Sequence, residues 1–453
     1  SSVAFSFRIS GNNVSTVVPL AGGKVLIGGL FTHIRDSAVP YMIARLNADG
    51  SADTTFNPGG AGASSNIFAA AVLPDGRIAI TGAFSSYNGT VRNRIAVLTA
   101  SGALDPTFNP SAGGLNSSGL TLAVLPGGRL LVGGGFTTAN GVSRNRVAVF
   151  NADGSLDPSF DASIGASSSV YAATVQADGK VLLGGAFSSY NGTAINRIVR
   201  LNARGAIDPA FNPGTGANGS VYSLWVQPDG KILLGGSFGA INGISRSGVA
   251  RLNSDGTIDA GFAPTSIGSV YRLLPQEDGK VLVRHSSTSV GGATGTAFLA
   301  RLNVDGTRDT SFAVAALGTP TTLYSALALS DSGALYTSTS GSGVVRLQPA
   351  AVPNIVTQPT TQIAAVGGSA TFSVGASSVA PLSYQWFFNG QPIAGAVTPS
   401  LTIANVQTSH YGSYSVVVSN EIGVMSSATV ALASSNTAPT INDIANQSVN
   451  MGV

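Results

Sequence analysis

The sequence predicts an all-β protein, a seven-bladed β-propeller closed by its N-terminal strand and followed by a C-terminal β-sandwich. Three observations carry that prediction. An aspartate motif recurs at Asp53, Asp105, Asp157, Asp208, Asp259 and Asp309, while a glycine turn recurs at Gly23, Gly76, Gly128, Gly179, Gly230, Gly279 and Gly333. Seven copies with a period near 50 residues fit propeller blades or a related array. The last copy lacks its closing segment, and a matching segment stands at the N-terminus. After Pro353 the period stops and the composition changes.

The fourth copy, Ser169 to Pro213, shows how each element is read. Ser169 to Gln176 is apolar, β-branched and aromatic, and Ala177-Asp178-Gly179 is a hairpin turn signal. The second strand, Lys180 to Phe187, leads into a polar loop with Asn191-Gly192, a third strand from Asn196 to Leu201, and a turn at Asn202 to Gly205. A short fourth strand, Ala206 to Phe211, completes an antiparallel meander. The runs are apolar without alternation, as suits sheets covered on both faces by neighbouring blades. Paired glycines in the second strand, Gly28-Gly29, Gly133-Gly134, Gly184-Gly185 and Gly235-Gly236, leave room where another backbone comes close.

Ring closure follows from the two ends of the array. The seventh copy offers strands at Leu323 to Leu329, Ala334 to Ser338 and Gly343 to Leu347, then runs into Pro349 and Pro353 with no Asp-x-x-Phe segment. Phe5 to Ser10 precedes Val14 to Leu20 as Ser159 to Ser163 precedes Val170 to Val175. The N-terminal segment is therefore expected to complete the seventh blade, joining first repeat to last and leaving few open sheet edges.

The full repeat, F(N/D)P, strand, DGK(V/I)L(L/V)GG, Phe, NG, NR, strand, N-x-DG-x-x-D-x-x-F, resembles the delta-sixty repeat, a β-propeller repeat of large bacterial exported and surface proteins. The resemblance covers roughly residues 1–349. It implies a fold and a habitat but no single activity. Copy 6 departs from it with Arg284-His285 in place of Gly-Gly, and copy 7 is degenerate.

Residues 354–434 form a second domain. Val366 to Val374, Ser383 to Phe388 and Tyr411 to Val416 are its expected strands, with a turn at Asn389-Gly390. It resembles the immunoglobulin-like domains of bacterial modular surface proteins. Trp386 and Tyr414 fit the central tryptophan and the corner tyrosine, while Val374 and Val416 stand where antibody domains carry the intersheet disulfide. Apolar packing alone is expected to close this core. Residues 436–453 are expected to be a linker or the opening strand of a further domain, in which case the chain is part of a longer modular protein.

At 453 residues with 43% apolar content, large cores are possible. Charged residues make up only 9% of the chain, against roughly 25% in typical globular proteins. The surface must then be Ser, Thr, Asn and Gly, which points to secretion or the cell surface. With no cysteine, disulfides, thiolate metal sites and cysteine nucleophiles are excluded. No apolar stretch approaches a membrane span of about 20 residues, and a mature, processed start at Ser1 is the simplest expectation. The basic residues behind the net charge of +3 are dispersed along the copies with no Lys/Arg run or stripe, so nucleic acid is not an expected partner.

Three sets of residues are site candidates. The turns Asn47, Asp49, Asp53; Asn151, Asp153, Asp157; Asn253, Asp255, Asp259; and Asn303, Asp305, Asp309 place oxygens at alternate positions around a glycine, as calcium loops do. They lack a closing bidentate Glu, Thr99 and Ser101 break the pattern in copy 2 and Arg204 in copy 4, so structural turns without a cofactor are the favoured expectation. Arg94, Arg146 and Arg197 recur at a fixed offset from Asp105, Asp157 and Asp208 and are expected to form salt bridges or hydrogen-bond clips within or between blades. Tyr87 and Tyr190, beside Asn-Gly on loops, could stack on sugars. The histidines, His33, His285 and His410, are scattered, and no catalytic group is expected. The expected role is a noncatalytic structural or adhesive module. A glycan-binding propeller and a filament or sheath subunit are the alternatives, with surface polysaccharide, another protein or a second copy as partner.

Overall fold

The computed structural model describes every residue except 1, 8, 35–36, 40, 111–112, 163, 265–266, 288, 291–292, 295–297, 313–325, 331–333, 340–342, 349–352, 379–381, 421–423 and 436–453. Among the described residues there are strands and three 3-10 turns but no α-helix. The chain divides into two compact units, Val3–Gln348 and Pro349–Val453. The expected linker or opening strand at 436–453 and the N-terminal part of the expected strand at Leu323 lie outside the described residues.

Seven antiparallel sheets follow one another in the first unit, each with the first strand paired to the second and the second to the third. In the fourth they are Val170–Val175, Val181–Gly185 and Ile198–Leu201. The second strands of copies 2 to 6 are buried along their whole length, which explains their unbroken apolar runs. Each main core is shared by two sheets: Ala123, Leu131 and Val149 of copy 3 pack with Val170, Val181 and Leu183 of copy 4, and Ala172, Leu182 and Ile198 pack with Val221, Ile232 and Leu234. The first strands touch from copy to copy, and Leu327–Leu329 of copy 7 lies beside both Val270–Pro275 and Ile9–Pro19. The N-terminal strand Ser2–Phe7 pairs with Gly343–Gln348 as the fourth strand of the seventh sheet. It stops sooner than expected, because Ile9 and Ser10 already pair with Ile34 and His33 of copy 1.

The expected fourth strand of copies 1 to 6 is corrected. Ala206 to Phe211 contributes a single bridge, Leu201 to Ile207, because Asp208 then accepts the Ala210 amide and turns the chain. The polar loop is more ordered than expected, since Ser189–Tyr190 and Thr193–Ala194 form a two-residue hairpin. Asn191 and Gly192, with φ of 44° and 81°, supply its left-handed turn. At the glycine pairs, a Cβ on Gly184 would come 2.7 Å from Val221 Cγ1 of the next sheet, while one on Gly185 would collide with the Ser169 carbonyl of its own sheet. The close approach read from the sequence is thus present on both sides.

In the second unit, Ser383–Phe388 pairs with Gly412–Ser419, which pairs with Val430–Ser434, and Ala370–Ser373 pairs with Ser400–Ile403. Val366 to Ser369 precedes the strand instead of forming it, with Gly367 at φ 85°. Trp386 is buried and donates Nε1–H to the Thr398 carbonyl at 3.0 Å. The Tyr414 hydroxyl donates to the His410 carbonyl at 2.8 Å, the corner bond. Val374 and Val416 lie in the same apolar cluster as Trp386, so packing fills the disulfide position.

Candidate functional site

Each repeated aspartate is the centre of a buried knot. Asp259 accepts Lys231 Nζ at 2.9 Å and Arg251 Nε at 2.6 Å on one oxygen, and the Gly261 amide on the other. Burial alone would raise its pKa. The bonds from Lys231, Arg251 and Gly261 prevail and hold it at about 2. Asp53 with Lys24 and Arg45, Asp208 with Lys180 and Arg200, and Asp309 with Lys280 and Arg301 repeat the design. The third-strand arginine also covers a phenylalanine of its own copy and donates to a turn carbonyl of the next: Arg251 lies 4.7 Å from the Phe262 ring and bonds to Val304. In copies 2 and 3 the third strand carries Val97 and Val149 instead, and Arg77 and Arg129 alone hold Asp105 at 2.8 Å and Asp157 at 2.5 Å.

The expected pairing of Arg94, Arg146 and Arg197 with Asp105, Asp157 and Asp208 is corrected by this geometry. Those arginines have φ between 61° and 68° and donate to the Leu115, Ala166 and Ala217 carbonyls, on the segments leading into the next copy. They are hydrogen-bond clips between copies. The aspartates take their cations from the Gly-Lys or Gly-Arg turn 28 or 29 residues upstream, a basic position visible in the repeat but not recognised as the partner.

The calcium-like turns separate into two kinds of local knot. Asp153 Oδ1 accepts the Ser155 amide and hydroxyl, and Asn151 Nδ2 donates to Ser155 Oγ; Asp255 and Asn253 do the same with Thr257, as do Asp49 and Asn47 with Ser51, and Asp305 and Asn303 with Thr307. Asp157, meanwhile, is occupied by Arg129 and Ser159. Among the described residues no three His, Asp or Glu side chains gather as a metal site.

Tyr87 and Tyr190 are corrected as sugar-stacking residues, for both are 0% exposed. The Tyr87 hydroxyl donates to the Gly102 carbonyl at 2.6 Å, and burial raises both phenols well above their ordinary pKa. The hairpin that carries them folds inward, because its aromatic ring is worth more to the core than to water. Among the described residues, His33, His285 and His410 join no cluster of titratable side chains. His33 ends a strand of copy 1, buried His285 is held down at about 4 by desolvation and the Arg284 charge, and His410 belongs to the second unit.

Half-buried aromatics on the inner strands form a group that sequence reasoning missed. Tyr171, Tyr222 and Tyr271 sit at the same position of three consecutive first strands, each at a bulge where the register slips by one residue. Tyr171 and Tyr222 meet edge to face at 5.5 Å, and Tyr222 and Tyr271 stack at 6.0 Å. Trp225, 43% exposed, lies on the same strand as Tyr222. The recurring Val-Tyr pair was the available signal. A bulge redirects a side chain out of the strand's alternation, which sequence alternation alone cannot show.

The β-propeller domain of unknown function DUF5122 matches residues 23–56, 73–108, 125–160, 176–211, 227–262 and 276–312, and an immunoglobulin domain matches 352–420. No curated protein matches the chain. Among solved structures, an I-band fragment of titin is 24% identical, covering 19% of this chain and 33% of its own length, with a TM-score of 0.18. The titin M4 domain is 20% identical, covering 19% of this chain and 99% of its own length, also with a TM-score of 0.18. The chain thus spans about a third of the I-band fragment.

Proposed function

This chain is a DUF5122 β-propeller repeat region followed by an immunoglobulin-like domain, and from that premise we propose that it is a noncatalytic structural or adhesive module of a secreted or cell-surface bacterial protein. The observation that carries the proposal is the fate of the repeated charges. All six aspartates are spent on ion pairs within their own copies, and Arg45, Arg200 and Arg251 reach on to the next turn. Such charges brace a scaffold and are not free for proton transfer. The sparse charge of the chain fits an exported surface rich in Ser, Thr, Asn and Gly. A seven-bladed ring is supported by the seven sheets, by the contact between the first strands of copies 7 and 1, and by the N-terminal strand on the seventh sheet.

A lectin-like role has one specific support, the row Tyr171, Tyr222 and Tyr271, whose rings suit the apolar faces of sugars while their hydroxyls hydrogen-bond. Self-association into a filament or sheath is favoured by the low charge, with residues 436–453 as the donated strand. Size-exclusion chromatography with light scattering and negative-stain microscopy distinguish these roles. Ordered polymers that vanish on deletion of 436–453 establish the subunit role, and polymers that survive the deletion refute strand addition by that segment. Monomers that bind a glycan array, and lose binding in Tyr222→Ala, establish the lectin role.

A further inference from the structure

In copies 1, 3, 4 and 5 the slot facing the next sheet is a glycine, and a Cβ there would press on Ile67, Val170, Val221 or Val270. Copy 2 carries Thr81 in this slot and compensates with Gly119 opposite. Copy 6 carries Arg284. Its side chain is 0% exposed at the end of Val281–His285, between the sixth and seventh sheets. Nη2 donates to the Ser338 carbonyl of the seventh sheet at 3.0 Å, whereas Nε and Nη1 are buried with no hydrogen-bond partner.

A guanidinium with two idle donors in a buried interface is costly unless something negative accompanies it. None of the ion pairs among the described residues includes Arg284. Loss of the proton is no remedy, because burial lowers the Arg284 pKa only to about 10. Thr337 and Ser338 on the facing strand are buried too, the Thr337 hydroxyl donating to the Ala326 carbonyl and the Ser338 hydroxyl accepting the Ala326 amide.

We propose that Arg284 is the core of a buried binding site for a small monovalent anion, of the size of chloride or formate, between the sixth and seventh sheets. Nε and Nη1 donate to the anion, and it neutralises an arginine that, alone among the described residues, lies fully buried without a carboxylate or a second carbonyl. The site stands in the degenerate part of the array, where a bound ion would join copy 6 to copy 7 beside the apolar contact of Leu282 and Leu299 with Leu335.

The test uses the full chain, melted at constant ionic strength while gluconate is replaced by chloride, bromide or formate. The expected result is a saturable rise in melting temperature of about 2–4 °C or more, no rise with sulfate, and no anion dependence in Arg284→Gly, which restores the glycine of copies 1, 3, 4 and 5. A wild-type melting temperature indifferent to the anion overturns the proposal, as does an equal rise in Arg284→Gly. Crystals soaked in bromide decide the matter independently of that variant. An anomalous peak within hydrogen-bond distance of the Arg284 guanidinium supports the site, and its absence at saturating bromide overturns it.

Discussion

Asp259 shows what a repeated aspartate contributes and how to measure it. Its carboxylate is shared by Lys231, buried Arg251 and the Gly261 amide, so Asp259→Asn leaves a buried guanidinium facing a neutral group. The expected loss is about 1–3 kcal/mol of unfolding free energy at pH 7. The pH dependence has a definite sign. An aspartate titrates near 3.9 in an unfolded chain, whereas Asp259 is held at about 2 when folded. As pH falls, the unfolded chain takes up the proton first, so the contribution is complete above about pH 4 and disappears as pH drops through 2. Urea denaturation of wild type and Asp259→Asn at pH 7 and pH 2.5 should show the difference shrinking. An equal difference at both values would mean that shape, not charge, carries the effect. The aspartates themselves were legible in the sequence, but their partners were not. Arg94, Arg146 and Arg197 stand nearer in the repeat, yet a left-handed backbone at those positions sends them to the next copy, and partner choice depends on such conformations.

At the level of the strand, the contact between neighbouring sheets is a matched pair of slots. Gly184 faces Val221, and Thr81 faces Gly119, so bulk on one side is answered by its removal on the other. Gly184→Thr is therefore expected to destabilise by about 1–3 kcal/mol through overpacking. Combining it with Val221→Gly should recover part of that loss, with a coupling above about 1 kcal/mol in a double-mutant cycle. Strictly additive effects in denaturant melts would show that the two slots do not interact. Second strands were readable because full burial leaves an uninterrupted apolar run. Fourth strands were over-read, since Ala206 to Phe211 has strand composition but Asp208 turns it after one bridge. Tyr87 and Tyr190 were misplaced for a related reason: Asn-Gly announces a turn, but not that the hairpin lies against the core.

For the whole repeat unit, the N-terminal strand is the element that ties the first copy to the seventh sheet. Ser2–Phe7 is separated from its partner Gly343–Gln348 by almost the entire array, so their pairing is the longest-range strand pairing among the described residues of the unit. Closing so long a loop adds little entropy cost beyond that of a shorter one, because the cost grows only with the logarithm of length. In return, the strand covers an edge that would otherwise offer unpaired amides and carbonyls to other chains. Deleting residues 1–7 should lower the melting temperature of the repeat unit by several degrees and make the protein self-associate with concentration. The immunoglobulin-like domain, which has its own core around Trp386, should keep its transition. A synthetic peptide of residues 1–8 added to the truncated protein should restore part of the melting temperature and suppress association, by returning the missing strand to the open edge. Calorimetry and light scattering of the truncated protein, with and without the peptide, check this. A truncated chain that melts like the intact one and stays monomeric would show that the seventh sheet holds with three strands.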